Sequence, residues 1–98
     1  MQKPTLGRIV HYRGKQGYQA ARAAIVTATE ETLDPRGVEA GHVPALTDDT
    51  HVHLWVYSPG DSGGFAEYNV APGRPDDPLT QATAANIPPG TWCWPPRI

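Results

Sequence analysis

A chain of 98 residues holds one compact domain and is too short for two independent cores. Its formal net charge of -2, from 8 Lys+Arg against 10 Asp+Glu, excludes the broad basic field that drives nonspecific nucleic-acid binding. The single Cys93 allows no internal disulfide, while 10 Gly and 11 Pro point to long turns between short elements.

Residues Thr5 to Tyr12 are rich in strand formers, and Arg13-Gly14-Lys15-Gln16-Gly17 supplies the glycines of a hairpin loop. Ala20 to Thr29 is mixed. Its alanines favour helix, but Ile25, Val26, Thr27 and Thr29 are β-branched, so its second half reads as a strand with an alanine-rich entry. Glu30 to Thr50 shows no sustained period and reads as a long connection, with an interrupted strand around Val43-Pro44-Ala45-Leu46.

His51 to Tyr57 alternates strictly. Val52, Leu54 and Val56 form a core face, and His51, His53, Trp55 and Tyr57 form the other, a surface that meets Trp92-Trp94 or another subunit. A punctuated turn from Ser58 to Gly64 leads into a returning strand, Phe65 to Val70. Ala71 to Gly90 is too proline-rich for a central strand and wraps the surface. Thr91 to Trp94 is a short last strand with both tryptophans on one face. The expected fold class is all-β (mainly β): one domain over residues 1–98, a small antiparallel sheet rolled into a partly open barrel with long Pro/Gly-rich loops. With no apolar run near the roughly 20 residues of a spanning helix and no apolar leader after Met1, a cytoplasmic protein with no membrane partner is expected.

Three constellations carry chemical meaning. Gly60-Asp61-Ser62-Gly63-Gly64 spells the surroundings of the trypsin-like nucleophile, but that chemistry needs a separately presented histidine, an aspartate and two barrels. The segment reads as a glycine turn. His51-x-His53 has the spacing of a chelating pair; a third ligand would have to come from His11, His42, Asp48, Asp49 or Cys93, and no second clustered pair is present. A structural or interface role is preferred, with no metal and no cofactor. Tyr12, Trp55, Tyr57, Tyr68, Trp92 and Trp94 are either core and rim or a stacking surface for a planar ligand, with arginines to meet its charge. Arg8, His11, Arg13, Arg22, His53, Trp55, Trp92 and Trp94 are the candidate ligand-binding residues.

Gly7-Arg8-Ile9-Val10-His11-Tyr12, Arg22-Ala23-Ala24-Ile25-Val26-Thr27 and Gly90-Thr91-Trp92-Cys93-Trp94-Pro95-Pro96-Arg97 together resemble blocks of a group of small proteins encoded by actinobacteriophages and their hosts. The three blocks cover about a fifth of the chain. Cys93 stands where those proteins commonly carry His, and Ala21 where they often carry Cys, so no metal role transfers to either position. The resemblance implies a phage or prophage accessory protein that binds something from the host, in context resembling sponges for nucleotide immune signals. The leading expectation is therefore a noncatalytic, oligomeric binding protein for a small anionic, nucleotide-like ligand. The alternative is a structural or protein-interaction module, such as a virion or assembly accessory or a host-protein inhibitor.

Overall fold

The computed structural model describes residues 2–15, 21–58 and 63–96. It contains β1 (Ile9–Arg13), β2 (Ala21–Ala28), α1 (Pro35–Glu39), β3 (Val52–Tyr57), β4 (Gly64–Val70) and β5 (Trp92–Cys93). The strands form one antiparallel sheet in the order β4-β3-β2-β1-β5. The protein is mainly β, and the sheet is not closed.

Alternation assigns the two faces. Val10 and Tyr12 of β1, Ala24 and Val26 of β2, Val52, Leu54 and Val56 of β3, Val70 of β4 and Trp92 of β5 are all buried and form the core. The residues between them form an outer face. There Ile9, Ile25, Trp55 and Ala66 lie side by side across four strands by register. Trp92 pairs with Tyr12 and belongs to the core, so the His-aromatic face of β3 does not meet Trp92 and Trp94; they lie on the opposite side of the sheet.

Strand β2 runs unbroken from Ala21, so the described part of its alanine-rich entry is extended rather than helical. Pairing on both sides supplies backbone hydrogen bonds and overrides the helix propensity of alanine. β1 starts at Ile9, later than expected, because Leu6 and Gly7 form a turn in which Gly7 has φ of 84°. The long connection contains one helical turn, α1, where the lack of a sustained period predicts none. Asp34 caps it by accepting from the Arg36 N–H at 3.0 Å, and Pro35 occupies the first turn.

No strand forms around Val43–Leu46. The Pro44 carbonyl accepts instead from His53 Nε2 at 2.7 Å, and Thr47 and Asn69 exchange two hydrogen bonds at 2.9 Å. These bonds pin the connection to the outer face, which is why His53 is buried there. Irregular pairing flanks His53 on both neighbouring strands, between Val26 and Ala28 and between Val52 and Leu54. Asn69, at φ 51°, turns its N–H onto His53 Nδ1 at 3.0 Å.

The proline-rich segment after β4 wraps the molecule as its composition predicts, and it also reaches the far side of the sheet. Trp92 N–H donates to the Ala71 carbonyl at 3.0 Å, and Gly73 N–H donates to the Trp92 carbonyl at 2.7 Å. The loop that follows contributes buried Ile87 and Ala84. Among the described residues no helix is long and apolar enough to cross a membrane. The central residues of the glycine turn, Pro59 to Ser62, lie outside the described residues; at its end Ser58 N–H donates to the Gly63 carbonyl at 3.3 Å.

Candidate functional site

The register places Tyr12 opposite Arg22, both pointing to the core side of the sheet. At that end the core opens into a cavity of about 260 Å³ lined by Tyr12, Gly14, Lys15, Arg22, Phe65 and Glu67. Lys15 Nζ pairs with Glu67 at 3.0 Å, with 62% and 20% of the two side chains exposed. The Arg22 guanidinium sits 5.7 Å from the Phe65 ring centre, a cation–π contact, and no carboxylate among the described residues pairs with it.

Two polar atoms of the lining residues have no partner among the described residues. The Tyr12 hydroxyl and Arg22 Nε are buried and make no hydrogen bond, although a buried unsatisfied donor costs roughly 1–3 kcal/mol. Burial pushes the Tyr12 phenol up to about 12, the Glu67 charge adding to the shift and the Arg22 charge opposing it. Both atoms are therefore protonated donors at neutral pH. A pair of dry donors beside an unpaired cation presents what an anionic acceptor requires.

The eight residues expected at a site do not converge. Arg22 alone lines this cavity. Arg13 donates through one guanidinium nitrogen to the Ala85 and Ile87 carbonyls, at 3.2 and 2.8 Å, and so ties the proline-rich loop to β1. It also lines a larger and more open depression of about 520 Å³ with Arg74, Asp76, Asp77 and Asn86, where among the described residues no buried polar side-chain atom lacks a partner. Arg8 lies over the Trp94 ring at 5.5 Å. Trp94 stands edge-on to Trp92 at 5.4 Å and donates from Nε1 to the Gln2 carbonyl at 3.3 Å.

Trp92 has no exposed surface, and its ring nitrogen is satisfied by the Thr50 carbonyl at 3.2 Å; it is a core residue with no free face for stacking. Trp55 is 40% exposed, but on the opposite face. His11 is half-buried there, opposite Cys93, whose thiol burial pushes up and makes less reactive. His53 uses both ring nitrogens within the protein.

Nor do His51 and His53 offer a joint chelate. His51 Nδ1 donates to Asp48 at 2.8 Å, and that same carboxylate accepts from the Thr50 hydroxyl and backbone. These bonds, the Thr50 hydroxyl first and then the His51 ring, hold Asp48 well below the usual carboxylate range. Among the described residues no group of three or more His, Cys, Asp or Glu could hold a metal ion.

Tyr12, Gly14, Lys15, Phe65 and Glu67 of this cavity are not among the eight expected ligand-binding residues. A signal for the Tyr12–Arg22 pair was available, because Arg22 shares parity with core residues Ala24 and Val26, just as Tyr12 does with Val10. An arginine on the inward side of a strand needs a partner, and none is visible in its neighbourhood in the sequence. No known protein family, curated protein or solved structure matches the chain.

Proposed function

We propose that this protein is a noncatalytic binding protein for a small anion, held at the cavity between Tyr12 and Arg22. The observation that carries this reading is the pair of buried donors without acceptors beside an arginine without a counter-ion. The noncatalytic part rests on protonation. A general acid or base works best with a pKa near the operating pH, whereas a phenol pushed up to about 12 keeps its proton, and Glu67 is engaged by Lys15. A sheet curled toward a partly open barrel would bring Phe65 and Glu67 of β4 toward Tyr12 of β1 and Arg22 of β2, the residues that line the cavity. The resemblance to actinobacteriophage proteins supports a phage or prophage accessory that sequesters its ligand in the host.

Titration calorimetry against inorganic phosphate, simple carboxylates and cyclic and linear nucleotides tests it. At least one anion is expected to bind one per chain, with affinity lost in Arg22→Ala. A flat panel, or binding indifferent to Arg22, overturns the reading.

A second reading, a protein-docking module, is favoured by the outer face. Ile9, Trp55, Tyr57 and Tyr68 are 61%, 40%, 49% and 56% exposed. It predicts a complex that dissolves when Trp55 is replaced by Asp.

A further inference from the structure

We infer that the anion taken at the Tyr12–Arg22 cavity is the carboxylate of a small acid with an apolar body; this rests on the anion-binding reading above and narrows it. Three features of the wall carry the choice. The first is charge. Among the described residues of the wall Arg22 is the one unpaired cation, since Lys15 is matched by Glu67 at 3.0 Å, so these residues balance one negative charge. The Glu67 carboxylate lines the same cavity and repels a second charge, which disfavours a phosphate dianion.

The second is donor geometry. Among the described residues the orphan groups number two, one hydroxyl and one Nε–H, on side chains placed opposite each other by register. A carboxylate has two oxygens, one for each donor, and both bonds are charge-assisted.

The third is size and polarity. About 260 Å³ falls below the roughly 300–1,000 Å³ of pockets that enclose drug-sized ligands. A nucleotide would not be enclosed by it. The Phe65 and Tyr12 rings supply an apolar wall, so the body of the acid is a single ring or a short branched chain. Both donors are shielded from solvent, so the acid reaches them only by displacing part of the wall.

Benzoate is the probe, titrated into the full chain near pH 8 beside benzamide, phenyl phosphate and inorganic phosphate. The result expected is one benzoate per chain, with benzamide and phenyl phosphate each at least about tenfold weaker and inorganic phosphate weaker still. Tyr12→Phe, which keeps the ring, is expected to weaken benzoate roughly tenfold to a hundredfold, the loss of one hydrogen bond to a charged group. Should Tyr12→Phe not fold, the Arg22 Nε–H resonance of the wild-type protein is followed instead, and it must move on benzoate addition. A wild-type protein that binds phosphates or nucleotides through Arg22 but ignores benzoate overturns the carboxylate assignment and leaves the broader reading standing. Binding of none of the anions overturns both. Equal binding of benzoate and benzamide overturns the carboxylate assignment, because charge would then play no part.

Discussion

Tyr12 combines roles that pull in different directions. Its ring is core, packed within the cluster that holds Val10 and Trp92, while its hydroxyl is a donor with nothing to donate to. With a folded pKa near 12 against roughly 10 in an unfolded chain, the neutral phenol favours the fold. That contribution is fully present below about pH 10 and disappears as pH rises through the folded value. In an alkaline titration followed by tyrosinate absorbance, one of the four tyrosines is expected to ionise late, close to unfolding, and Tyr12→Phe is expected to remove that step and flatten the alkaline loss of stability. Four tyrosines ionising together near pH 10 would contradict the burial of the hydroxyl. Parity along β1 and β2 made the inward direction of Tyr12 and Arg22 legible in the sequence. What was not legible was the use made of Arg13, because the Ala85 and Ile87 carbonyls that hold it arrive from a loop more than seventy residues away.

Among the elements, the strands read well and their ends less so. Alternation in β3 marked Val52, Leu54 and Val56 as core, and they are buried. The helical turn α1 was announced by Asp34-Pro35, a cap followed by proline at the first position, a local signal that the lack of any longer period concealed. The fate of His53 depends on pairing irregularities in two strands at once and on a carbonyl from the 30–50 connection; periodicity within one strand carries no information about either. The junction after β4 offers a direct check. A Cβ at Gly73 would collide with the Thr91 hydroxyl and come within 2.6 Å of Ile87 Cβ, so Gly73→Ala forces the loop and β5 apart. Overpacking of this kind costs about 1–3 kcal/mol, and thermal melting is expected to show a midpoint lowered by several degrees. An unchanged midpoint would mean that the segment 71–73 does not hold β5 as described.

For the molecule as a whole, the two faces of the sheet have been finished differently. One is filled by the core cluster; the other keeps Ile9, Trp55, Tyr57 and Tyr68 in contact with water. Each aromatic side chain there leaves on the order of 100 Å² exposed, so the group reaches several hundred Å², the size of the largest patch on a typical monomer and often a functional one. Sedimentation velocity over a range of protein concentrations is expected to show self-association that Trp55→Asp abolishes while the thermal midpoint changes little, since Trp55 is outside the core. A protein that stays monomeric throughout, with or without Trp55, would count against association between copies through this face. The mainly β class and antiparallel sheet were legible from alternation and turn residues; the position of β5 was not, because pairing with β1 is a choice among distant partners that short-range pattern does not encode.

That pairing has a kinetic consequence. Strands β1 to β4 form a meander in which each joins the one before it, so three of the four strand pairings need only nearby parts of the chain to meet. The fourth sets Trp92 against Tyr12 across most of the chain's length, and its closing entropy must be met before its contacts are gained. The largest buried side chain of the protein is thus the one whose arrival is slowest, and the meander waits with its apolar side uncovered until that closure occurs.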